Sequence, residues 1–85
     1  MSAAFIGEWR DVEGSLECAV VVPMQAFYAR VEPEWGAQAD GAPAYLAIME
    51  TASGETVFSL GEFNEKEAAT AQLARAVKAY IGVVD

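Results

Sequence analysis

Histidine is missing from this chain, and cysteine occurs once, at Cys18. Without imidazole, the commonest general base and the commonest metal ligand are both gone. A serine or the Cys18 thiol would lack the neighbouring base that activates a nucleophile, and a lone thiol makes no intramolecular disulfide. Positive charge is scarce as well: five Lys and Arg stand against thirteen Asp and Glu, a net charge of -8. That balance repels nucleic acid and anionic membrane surfaces and attracts basic protein surfaces. The longest apolar run, Cys18 to Met24, is far too short to span a bilayer. No basic segment followed by an apolar one marks a secretory signal. The expected setting is therefore cytoplasmic and reduced, with Cys18 a small buried hydrophobe.

What is present argues for a folded domain. A hydrophobic share of 54% with 11% aromatics is too apolar for a disordered acidic tail. Residues 1–85 read as one domain near the lower size limit for folding without staples. Much of the apolar count is alanine, so the expected core is thin. Residues 4–22 read as a hairpin turning at Asp11-Val12-Glu13-Gly14. That register places Trp9 opposite Leu16, Gly7 opposite Cys18 and Phe5 opposite Val20 on one apolar face, and Glu8 directly opposite Glu17 on the other. Val20-Val21-Val22, apolar on both faces, predicts a central strand ended or bulged by Pro23. Residues 25–32 read as a further strand with Phe27, Ala29 and Val31 on one face and Tyr28, Arg30 and Glu32 on the other, a short helix being the alternative. Pro33 to Pro43 has loop composition.

A second hairpin is expected from residues 44–50 and 55–61 about Ala52-Ser53-Gly54, stacking Leu46 and Ile48 against Phe58 and Leu60, with Tyr45, Met49 and Val57 on the reverse. Asn64 as N-cap, Glu67 completing a capping box and Phe63 with Ala68 as a hydrophobic staple predict a C-terminal helix. Its stripe is Ala69, Leu73, Ala76, Val77, Tyr80 and Ile81, at a spacing of about 3.6 residues. Arg75 and Lys78 suit its last turns and Gly82 its stop. The expected fold is α+β: a mainly antiparallel sheet of about four to five strands with the C-terminal helix packed on one face.

The candidate partner-binding residues are acidic. Glu8, Asp11, Glu13 and Glu17 form one group; Glu32, Glu34 and Asp40 form another around Trp35, a residue type enriched among interface anchors. Against this stands the simpler reading of solvated carboxylates and a tryptophan folded back onto the core. No residue is expected to be catalytic: glycoside hydrolysis needs a sugar-sized cleft between two carboxyls, for which a single sheet layer offers little concavity. No calcium-loop pattern or thiol pair predicts a metal, and no cofactor is expected.

Leu60-Gly61-Glu62-Phe63-Asn64-Glu65-Lys66-Glu67-Ala68-Ala69 resembles the strand-to-helix passage of AP2-type domains, which read DNA with a small sheet packed on one helix. The DNA-facing strands of that family are rich in arginine, whereas the strands here carry Glu8, Glu17, Glu32, Glu50 and Glu55, so DNA binding does not carry over. The overall profile is similar to the small acidic proteins with which phages disarm host defences, anti-CRISPR proteins in particular. That resemblance implies a non-enzymatic inhibitor, monomeric or homodimeric. Its carboxylates would stand in for phosphates in a basic nucleic-acid-binding surface of a protein or ribonucleoprotein complex. It would touch neither nucleic acid nor membrane directly. The alternative expectation is a small assembly protein that dimerises through an exposed strand edge or through the Tyr45–Met49–Val57 face.

Overall fold

A computed structural model describes residues 5–23, 25–34 and 44–84, the side chains of residues 83 and 84 excepted. Its strands are β1 (Phe5–Ile6), β2 (Arg10–Val12), β3 (Ser15–Val22), β4 (Gln25–Glu34), β5 (Ala44–Thr51) and β6 (Thr56–Phe63), followed by one helix, α1 (Lys66–Val84). The strands form a six-stranded antiparallel sheet in the order β1-β3-β4-β5-β6, with β2 also paired to β3. The helix packs against β4, β5 and β6. The fold is α+β, with the single helix on one face of the sheet.

The core lies between helix and sheet. Alternation along β3 and β4 sends Cys18, Val20 and Val22, and Phe27, Ala29 and Val31, to the helix side, where all are buried. Ala47 and Met49 of β5 join them. From α1, Ala69, Leu73, Val77 and Ile81 close the layer, as the helical spacing predicts, with Tyr80 partly buried beside them. The Tyr80 ring meets Phe27 edge-on at 5.8 Å and Phe58 at 5.9 Å. Each fully buried Val, Leu or Met side chain contributes about 1.5–3 kcal/mol and each alanine methyl less.

The first hairpin is tighter than its sequence suggests. Glu13 and Gly14 both have positive φ, 53° and 89°, the geometry of a two-residue turn whose twist matches that of paired strands. Asp11 Oδ1 accepts the Gly14 N–H at 3.2 Å and braces this turn. The pairing is therefore Arg10 with Glu17, Asp11 with Leu16 and Val12 with Ser15. Before β2, residues 7–9 leave the ladder, and β1 resumes one register step away, Phe5 facing Val21 and Ile6 facing Val20. A one-residue step exchanges the faces of a strand. Phe5 consequently points away from the helix, and Glu8 does not oppose Glu17. Gly7 stitches the bulge to β3: its N–H donates to the Ala19 carbonyl at 2.8 Å, and its carbonyl accepts from Cys18 Sγ at 3.1 Å.

Three further expectations are corrected. In the second hairpin, Met49 pairs with Phe58 and Tyr45 with Phe63, all toward the helix, while Ile48 faces Ser59 and Leu46 faces Glu62 on the reverse. Register shifts after Ala47 and after Met49, with Gly61 at φ 85°, break the simple alternation of β6. Tyr45, Met49 and Val57 thus belong to the helix-side core and form no exposed dimer face. The helix runs through Gly82 to Val84, so Arg75 and Lys78 lie inside it and its last turn holds no cation. Finally, β4 continues through Pro33 to Glu34. This is tolerated because β3 pairs with β4 only as far as Leu16–Val31, leaving that flank of Pro33 without a ladder to feed.

Candidate protein-binding face

With α1 on one side, no described element covers the other face of the sheet over β3 and β4. Alternation places Glu17, Ala19 and Val21 of β3 there, beside Ala26, Tyr28, Arg30, Glu32 and Glu34 of β4. Glu50 of β5, opposite Tyr28, and Glu62 of β6, opposite Leu46, lie on the same face, as do Leu46 and the buried Ala44 and Ile48 of β5. Arg30 sits at the centre. Its Nη1 donates to Glu50 Oε1 at 2.6 Å and its Nη2 to Glu32 Oε2 at 2.5 Å. Its Nε lies 3.8 Å from Glu17 Oε1 and, though buried, makes no hydrogen bond. Burial works against the Arg30 charge, but the bond to Glu50 and the fields of Glu32, Glu50 and Glu17 outweigh it and raise its pKa.

One guanidinium does not balance the carboxylates around it. At the far end of β4, Glu34 lies against Glu62 and near Glu32. Its carboxyl is pushed up by a hydrogen bond shared with Glu62, then by partial desolvation and by the charges of Glu62 and Glu32.

The other end of this face is apolar. Phe5 is 63% exposed, and Val21 and Tyr28 are each 44% exposed. Phe5 pairs with Val21, Val21 with Ala26, and Ala19 with Tyr28, so they share one strip. Gly7 lies beside the Phe5 ring: a Cβ there would make ordinary contact with Phe5 Cε1 at 3.7 Å and with the Ala19 carbonyl at 3.4 Å. Beside Tyr28 a shallow depression of about 220 Å³ is lined by Arg10, Val12, Glu17 and Ala19. A second groove, of about 430 Å³, opens between Leu16 and the first turns of α1 at Lys66, Glu67, Thr70 and Ala71. The ammonium of Lys66 is already engaged there, 3.7 Å from Asp11 Oδ2 and 3.3 Å from the Gly14 carbonyl that accepts its proton.

The structure divides the expected acidic groups differently. Glu17, Glu32 and Glu34 converge on the open face. Asp11 points to the helix side, where it bonds Gly14 and pairs with Lys66; Glu13 is spent on the turn; Glu8 is exposed in the bulge. Trp35 and Asp40 lie outside the described residues. Sequence reasoning missed Glu50 and Glu62, and it missed Arg30 as the hub. The alternation of Tyr28, Arg30 and Glu32 was a usable signal for that face. Nothing local, however, places Glu50 beside Arg30, since their pairing is set across the 35–43 connection.

Among the described residues no group of three or more Cys, Asp or Glu is arranged to hold a metal ion, and no helix is long and apolar enough to cross a membrane. Compared with protein-family models, curated proteins and solved structures, the chain matches none. The geometry defines a class only: a small acidic α+β domain whose sheet is covered by α1 on one face and, among the described residues, left without a covering element on the other over β3 and β4.

Proposed function

We propose that this protein is a non-enzymatic, acidic protein-binding module that presents its open sheet face to a basic surface. The target kind implied by its anti-CRISPR-like profile is the nucleic-acid-binding groove of a host defence complex. The observation that carries this reading is the gathering of Glu17, Glu32 and Glu50 about a single Arg30, with Glu34 and Glu62 placed together farther along the same face, close enough to raise the Glu34 pKa. Arginine or lysine side chains arriving from a partner would relieve that crowding through charge-assisted hydrogen bonds. The net charge of -8 would steer the encounter.

The test uses a defined cationic probe, an oligoarginine peptide, titrated at low and at about 150 mM salt. Glu34→Gln/Glu62→Gln should weaken binding by roughly tenfold at low salt. Glu55→Gln/Glu65→Gln removes the same charge from exposed positions outside this cluster and should change it little. Equal losses in the two variants would mean that net charge alone attracts the probe and that the face has no special role.

A further inference from the structure

We infer that the open face is a composite docking surface for one basic, amphipathic segment of a protein partner. An apolar side chain of that segment seats beside Tyr28 while its cationic side chains meet Glu34 and Glu62. This rests on the binding-module reading above and specifies the partner. The apolar end is not an isolated exposed residue: Phe5, Val21 and Tyr28 adjoin around Ala19, and the depression lined by Arg10, Val12, Glu17, Ala19 and Tyr28 has a volume of about 220 Å³. Such a volume accommodates a single side chain rather than a ligand-sized pocket, which begins at about 300 Å³.

Area and charge choose the occupant. Taking about 200 Å² for a whole aromatic side chain, the exposed parts of Phe5, Tyr28 and Val21 amount to roughly 300 Å². A stable protein–protein interface needs about 800 Å² per partner, so the apolar strip is insufficient alone and its polar surroundings must be covered too. Those surroundings are Arg10 and Glu17 beside the depression, then Arg30 with Glu32 and Glu50, and at the far end Glu34 with Glu62, acidic on balance. A second copy carries the same net charge of -8 and is repelled as a whole, as are anionic lipid and nucleic acid. A basic protein segment satisfies both ends. Tyr28 and Glu34 lie on one face of β4 about 20 Å apart, so an extended segment would carry its cations about six positions from its apolar anchor.

The experiment measures affinity for a synthetic peptide bearing one phenylalanine and, about six positions on, an Arg-Arg pair, against a control of the same composition with the two adjacent. The spaced peptide should bind wild type at least about tenfold more tightly. Val21→Ser/Tyr28→Ser should abolish that preference and leave the salt dependence intact. Glu34→Gln/Glu62→Gln should flatten the salt dependence. Amide shifts in the wild-type protein on adding peptide should map to β3 and β4 near Val21, Tyr28 and Glu34, an outcome independent of whether the variants fold. If the spaced and control peptides bind alike and only the acidic variant weakens them, the composite surface fails while the basic-surface reading survives. If neither variant matters, both fail. Sedimentation showing a dimer that Val21→Ser/Tyr28→Ser dissociates would assign the apolar strip to a second copy and overturn the proposal.

Discussion

Glu34 and Glu62 show how a residue's surroundings set its chemistry. The Glu34 carboxyl is raised because the fold brings it into hydrogen-bonding reach of Glu62, desolvates it and sets it near the charges of Glu62 and Glu32, none of which holds in the unfolded chain. A group that holds its proton more tightly when folded contributes stability below its unfolded pKa and loses it as pH rises through the folded one. At neutral pH the pair is therefore a destabilising repulsion. Glu62→Gln, which keeps a hydrogen-bonding partner and removes the charge, should raise the melting temperature at pH 7. The gain should shrink as pH falls through the carboxylate range; a lower melting temperature at pH 7 would contradict the repulsion. Cys18 is likewise pushed up, here by burial, and its thiol donates to the Gly7 carbonyl. It acts as a small packing residue whose protonated form is the stable one.

At the scale of elements, the helix and the first turn carry separate tests. Leu73 is completely buried between α1 and the sheet. Leu73→Ala should cost about 2–5 kcal/mol, a large part of a small domain's stability, measurable as a shift in the denaturation midpoint at unchanged slope. The turn stores the reverse opportunity. Glu13 holds φ at 53°, a left-handed conformation that costs a side-chain-bearing residue about 1 kcal/mol. Asparagine tolerates that region and is favoured before glycine in this turn type. Glu13→Asn should therefore stabilise the fold by about 0.5–1 kcal/mol. A destabilised Glu13→Asn would mean that the Glu13 side chain does more than occupy the turn. The helix was legible in advance because the Ala69–Leu73–Val77–Ile81 spacing is local. The hairpin register was not, because it depends on the length of the turn at Glu13-Gly14 and on the step at Gly7–Trp9, neither of which alternation reveals.

For the whole molecule, charge makes the sharpest prediction. Its cations are Arg10, Arg30, Lys66, Arg75 and Lys78. Arg30 is committed to Glu50 and Glu32, and Lys66 pairs with Asp11. Too few remain on any one surface to neutralise a phosphate backbone. No DNA or RNA should bind at micromolar protein in about 150 mM salt. A gel shift that survives those conditions would overturn the use of carboxylates in place of phosphates.

The sequence by itself determined the class of fold, the phase of the helix, the inward set of β3 and β4 and the sign of the surface. Each follows from periodicity or composition, which are properties of neighbours along the chain. Only the tertiary structure decided which carboxylates stand together. Glu50 and Glu62 reach Arg30, Glu32 and Glu34 through strand pairings that span the 35–43 connection and the bulges of β6. Likewise Phe5 faces outward because of a single register step at Gly7–Trp9. Side-chain direction in a sheet has a period of two, so one residue gained or lost in a ladder exchanges core for surface. That count is fixed by long-range pairing, and so is the face on which the proposed partner docks.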